Sequence, residues 1–178
     1  MLAYLFVLVA IAVRLLSGLG SIGTMGFTPL EASLLFFGSR MPHKHFLGVL
    51  ALLIGTDIYL TTQRYGMAVN WGEGLIWAFY LGVFFLGSLL KDRVKPLYVV
   101  GAALGSAVGF FIISDLGVWV GTSLYPHTWS GLAACYVAAI PFFGKGLASN
   151  LLFSAIFFGL PAWYAHLSSS MASNKAAA

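Results

Sequence analysis

Apolar runs long enough to cross a bilayer alternate with short polar gaps along most of this chain. A spanning helix needs about 20 mostly apolar residues, and residues 2–19, 46–62, 74–90 and 97–120 approach or meet that length. Residues 147–166 form a fifth run, followed by the polar tail "LSSSMASNKAAA" (167–178), which reads as disordered. Two further apolar pieces are too short to span. In the first, 29–39, Thr28 is placed as an N-cap, Pro29 takes the first helical position, and Glu31 follows three residues after the cap. That is a capping-box pattern, and it explains Glu31 as a cap. The second, 132–143, is cut by Pro141 and followed by Gly144 and Gly146. It covers roughly 18 Å, so a tilted, re-entrant or surface helix is expected there. Broken backbone at membrane depth survives only against protein or a wet cavity, so such pieces mark where a cavity would lie. The pattern predicts an all-α membrane protein: one transmembrane domain over 1–166, built as a compact bundle of about six helices.

Composition agrees with the pattern. Of 178 residues, 60% are hydrophobic and 16% aromatic, while only 8% are charged, about a third of the share in soluble domains. A net charge of +4 in so apolar a chain does not suggest nucleic-acid binding. One cysteine, Cys135, excludes an intrachain disulfide and a CxxC pair. The N-terminal "MLAYLFVLVAIAVRLL" lacks the basic flank of a signal peptide and reads as the first membrane helix.

Charge asymmetry between the loops orients the bundle. Residues 40–45 carry Arg40 and Lys44, and 91–95 carry Lys91, Arg93 and Lys95. The loop around 62–74 has only Arg64 against Glu73, and "GTSLYPHTWSG" has no lysine or arginine. Two spans separate the basic loops, so both fall on one face. The positive-inside rule makes that face cytoplasmic. Trp71, Tyr125, His127 and Trp129 then face outward.

Ionisable residues within membrane segments are costly and tend to face the bundle or a cavity. Arg14, Glu31, Asp57, Asp115 and Lys145 are the candidates. Asp57, Thr61 and Arg64 draw a polar stripe along one helix side. Arg14 and Asp57 either neutralise each other or serve a ligand. Asp115 comes late in its helix, where the dipole is unfavourable to a carboxylate, so it needs a partner: Arg14, Lys145 or a bound molecule. The candidate outward pocket is lined by Asp57, Asp115, Trp119 and Tyr125, with Arg14 as counter-charge. Gly101, Gly105 and Gly109 are four apart, a small-residue face that admits close approach of a second helix. Packing within the chain is the first expectation for it and an oligomer interface the second. Asp115 lies about 120° around the helix from these glycines, so it serves a different neighbour.

The four histidines flank the spans, which argues against a bis-histidine haem. There is no Ser/His/Asp set, HExxH, phosphate loop or carboxylate pair on one helix. No enzyme, metal or cofactor is therefore expected.

Two stretches resemble a known family. "GFTPLEASLLFFGS" resembles a pattern in which Phe-Thr-Pro leads into a short helix rich in alanine and leucine. "FFIISDLGVWVGTSLYPHTWSGLAACYVAAIPFF" resembles the later signature, in the order Phe-Phe, Gly-x-Trp, Tyr-Pro, Gly-Leu, Cys-Tyr, Pro-Phe-Phe. The family is a group of bacterial multi-pass, transport-type proteins of unknown function. It is grouped with the S-components of energy-coupling factor (ECF) vitamin transporters. Asp115 stands where the family pattern has asparagine, and "GKGLASN" departs from the pattern after Pro-Phe-Phe. The Ala-x-x-x-Ala face by which S-components dock on an energising module is missing from the first helix. The resemblance implies an S-component-like bundle in the bacterial inner membrane that captures a vitamin-like nutrient from outside. The alternative is a non-catalytic accessory subunit of a larger respiratory or photosynthetic complex. Lipid, a small-molecule ligand and other membrane subunits are the expected partners.

Overall fold

A computed structural model describes residues 1–18, 27–91 and 94–176, with side chains as far as 171. Among these residues there are six α-helices and no strand: α1 (Leu2–Gly18), α2 (Leu30–Arg40), α3 (Phe46–Tyr59), α4 (Trp71–Ser88), α5 (Pro96–Gly121) and α6 (Trp129–Ala176). A 3-10 turn, His43–His45, leads into α3, and a π-helical turn, Leu60–Arg64, ends it. Three helical stretches are long and apolar enough to cross a membrane: His43–Arg64, Pro96–Gly121 and Trp129–Met171. α1 is apolar but shorter, and α4, with Trp71 and Glu73 in its first turn, is not among the three.

The centre of the bundle is α2. Nine of its eleven residues are buried, from Leu30 and Ala32 to Ser39. Burial on nearly every side makes it a core helix, and α1, α4, α5 and α6 all pack on it. Phe36 stands edge-on to Phe6 and Phe158, while Phe37 meets Tyr4 and Phe84. Two glycines let α2 and α4 touch backbone to backbone. A Cβ added at Gly38 would collide with the carbonyl oxygen of Phe84, and one at Gly87 with that of Leu35. Gly87→Val is expected to destabilise the protein by about 1–3 kcal/mol through overpacking, read as a lower thermal midpoint in detergent.

Chain direction alternates from helix to helix. The start of α1 and the end of α2 meet at one end, where Tyr4 Oη lies 2.6 Å from His45 Nδ1. His43 packs on Phe84 and Phe85 near the end of α4, so the 40–45 loop and that end of α4 share the same end of the bundle. At the opposite end Arg64 Nε donates to the Gly18 carbonyl at 2.7 Å. There Asn70 caps α4 by accepting from Gly72 N–H at 2.8 Å, and Gly72 and Gly117 bring α4 and α5 into backbone contact.

Three expectations are corrected. The short piece 132–143 and the run 147–166 are parts of one helix, α6, which holds both Pro141 and Pro161. Proline removes one backbone donor, but a helix braced by neighbours continues through it. The tail expected to be disordered is helical as far as Ala176. Among the described residues, nothing lies against Gly101 or Gly105, and of the three glycines Gly109 alone meets a neighbour, Phe79. The buried face of α5 is instead Val99, Ala102, Ala103, Ser106 and Ala107.

Large apolar side chains also cover the outside. Leu47, Leu97 and Val137 are 70%, 78% and 65% exposed. Apolar exteriors of this extent mark surfaces that meet lipid or protein rather than water.

Candidate functional site

Four side chains from three helices form the polar centre nearest the α1 C-terminus. Arg14 on α1 pairs with Asp57 on α3, Nη2 to Oδ1 at 2.7 Å. Its Nη1 donates to Tyr80 Oη on α4 at 2.5 Å. Trp77, one turn earlier on α4, donates from Nε1 to Asp57 Oδ2 at 3.1 Å. Asp57 is buried, while the Arg14 side chain keeps 25% exposure. The two charges cancel, and each retains hydrogen bonds that soften the cost of burial.

A second cluster joins α2, α5 and α6. Asn150 Nδ2 lies 2.9 Å from Glu31 Oε2, 2.8 Å from the Ala103 carbonyl and 2.7 Å from Ser106 Oγ. Two N–H groups thus serve three acceptors. Ser149 beside it donates to the Thr28 carbonyl at 2.8 Å, fixing the segment that leads into α2. Glu31 is therefore held by α6, and no side chain caps α2, whose N-cap residue is Pro29. The capping-box reading fails because the side-chain amide of Asn150, from another helix, captures the carboxylate.

Between the two clusters lies a cavity of about 340 Å³. Its polar wall is Arg14, Glu31, Tyr80, Thr28, Ser114 and Asp115. Its apolar wall is Leu30, Ala107, Phe110, Phe111, Ala139, Phe142, Phe143, Gly146 and Leu147. All five helices other than α3 contribute. Ligand cavities commonly combine mostly apolar walls with a few convergent polar groups, and this one has that make-up.

Of the residues expected to line a pocket, Arg14 and Asp115 do. Asp57 stands behind Arg14 as its counter-charge. Asp115 pairs with neither Arg14 nor Lys145. Among the described residues its carboxylate makes no hydrogen bond or ion pair, and Lys145 is exposed outside the cavity. Trp119 and Tyr125 do not reach the cavity. Trp119 closes the α5–α6 turn, donating from Nε1 to the Pro126 carbonyl at 3.0 Å and accepting from His127 at its own carbonyl at 2.7 Å. The Cys135 thiol and the Tyr136 hydroxyl bond to carbonyls of Asp115 and Ile112, locking α6 on α5. Sequence reasoning missed Asn150, Tyr80, Trp77 and the phenylalanine wall. The doublets Phe110-Phe111 and Phe142-Phe143 were visible as text but not as one surface.

Among the described residues no three His, Cys, Asp or Glu side chains lie together as a metal site would need. A model of a family of unknown function, DUF6580, matches residues 1–172. The chain belongs to that family. Comparison with curated proteins and with solved structures finds no match. Membership therefore agrees with the expected family of unknown function, while neither comparison links it to ECF S-components.

Proposed function

We propose that this member of DUF6580 is a multi-pass membrane protein that binds a small organic molecule in the cavity between α1, α2, α4, α5 and α6. The observation that carries the reading is the cavity itself, which sets ionisable side chains against phenylalanine rings inside a bundle with an apolar exterior. The cavity lies in the half of the bundle away from the 40–45 loop, since Arg14 and Asp115 come late in helices that run from that end. With the basic loops in the cytoplasm, the ligand comes from outside. An S-component-like role, capturing a vitamin-sized nutrient in the bacterial inner membrane, fits this arrangement and the signature stretches.

The test is ligand binding by the purified protein in detergent, read as thermal stabilisation across a panel of vitamins and related compounds. Ala139→Phe, which projects a ring into the cavity from a half-buried position, is expected to abolish any stabilisation while leaving a monodisperse protein. Undiminished stabilisation of that variant would place the ligand elsewhere.

A second reading rests on one observation: Gly101 and Gly105 face open space, as a close-packed partner helix would require. Co-purification of another subunit in mild detergent, lost in Gly105→Leu, would favour an accessory role.

A further inference from the structure

We infer that the ligand of this cavity is an organic cation with a flat apolar body. The inference rests on the binding role proposed above and specifies its chemistry. Charge is the first argument. The Arg14 guanidinium lines the cavity but is committed to Asp57 at 2.7 Å and to Tyr80 at 2.5 Å, so that pair contributes no net charge. Two carboxylates remain, Glu31 on α2 and Asp115 on α5, facing the cavity from different helices. Among the described residues neither has an ion-pair partner. Glu31 has one hydrogen bond, from Asn150, and Asp115 has none at its carboxylate. Among the described residues no lysine or histidine lines the space.

An unpaired carboxylate in apolar surroundings is costly, so each group holds a proton when the cavity is empty and gives it up to a bound cation, whose charge then offsets the cost. An anion gains no such contact and is repelled by whichever carboxyl is ionised. Of the two features suited to an anion, the N-terminus of α2 already has Glu31 in its first turn and Arg14 is held by Asp57 and Tyr80.

The rings supply the second argument. Phe110 and Phe111 on α5 and Phe142 and Phe143 on α6 line the cavity, and Phe111 and Phe143 pack on each other, centroids 4.9 Å apart, into one aromatic side. Such walls suit a flat apolar body and favour a cation through their ring faces. A volume of about 340 Å³ is at the small end of ligand pockets, which fits a compound of one or two rings.

The experiment compares three indoles of matched size: tryptamine, a cation at neutral pH; tryptophol, neutral; and indole-3-propionate, an anion. Each is titrated into the purified protein in nanodiscs, with thermal midpoint and calorimetry as readouts. Tryptamine is expected to bind, and the other two to bind at least tenfold more weakly. Asp115→Asn and Glu31→Gln are each expected to weaken tryptamine about ten- to a hundredfold, the span of one charge-assisted hydrogen bond. Asp115 has no protein partner to lose, and the amide introduced by Glu31→Gln can still accept from Asn150, so both variants keep the bundle's own bonds. Asp115→Glu is expected to restore binding in part. Equal or tighter binding of tryptophol or indole-3-propionate would overturn the cationic assignment while leaving the cavity as a binding site. Unchanged tryptamine affinity in both charge-neutralising variants would overturn it as well. Failure of all three indoles would count against the binding role itself.

Discussion

Asp57→Ala is expected to destabilise the protein by about 3 kcal/mol, the lower end of the cost of breaking a buried ion pair. The substitution leaves the Arg14 guanidinium with only Tyr80 as a described partner and takes the acceptor from Trp77. The lower end applies because the Arg14 side chain, 25% exposed, can recover some solvation from the cavity. The paired replacement Arg14→Met with Asp57→Leu is expected to recover most of the loss, since apolar residues of similar volume serve about as well as a buried pair. Unfolding midpoints of Arg14→Met, Asp57→Leu and the double variant form the cycle that isolates the coupling. Additive losses would show that the pair is not coupled.

The second large effect is expected at Asn150. Asn150→Leu strips a donor from Glu31, from the Ala103 carbonyl and from Ser106 at once. The Ala103 carbonyl and Ser106 keep their bond to each other, so the cost falls mainly on Glu31, and a buried group left unsatisfied costs about 1–3 kcal/mol. Asn150→Asp keeps the shape but sets a second carboxylate against Glu31, so it is expected to be at least as harmful as leucine. Adding Glu31→Gln to Asn150→Asp restores a donor–acceptor pair with the roles exchanged, and part of the stability should return. If Asn150→Asp matched the parent protein in thermal midpoint, the amide would not be the bond that holds α2 to α6.

The helices of this bundle were legible because apolar length alone outlines them. The Arg14–Asp57 pair was half legible: a cation and an anion in different apolar segments need partners, but which partners is a tertiary question. Asp115 shows the limit of that reasoning, since the available cation was already taken. Pro141 reads as a terminator only because the local rule omits the neighbours that support a helix past proline. Glu31 fits a cap by spacing, yet its partner lies 119 residues away. Asn150 gave no signal at all: a neutral polar residue in an apolar run has no periodicity, and its partners sit on two other helices. The glycines were legible as small residues but not as contacts. Those that matter, Gly38 against Phe84 and Gly87 against Leu35, each answer a different helix, so no repeat along one helix announces them. Trp119 and Tyr125 carried the weight usually given to interfacial aromatics, whereas the cavity wall is made of phenylalanine.

The shortness of α2 has a consequence for biogenesis. Eleven residues cover about 16 Å, roughly half of a bilayer's hydrocarbon thickness, and they carry Glu31, Ser33 and Ser39. Such a segment has little reason to leave the translocation machinery for lipid on its own. It is expected to stay at the bilayer margin until α4 offers Gly87 and until α6, the last of the described helices, offers Asn150 to Glu31. A chain halted before residue 150 would therefore have most of its apolar segments in place and still lack a settled central helix. Since α2 and α6 each supply a wall of the cavity, the proposed binding site is complete only once α6 has docked.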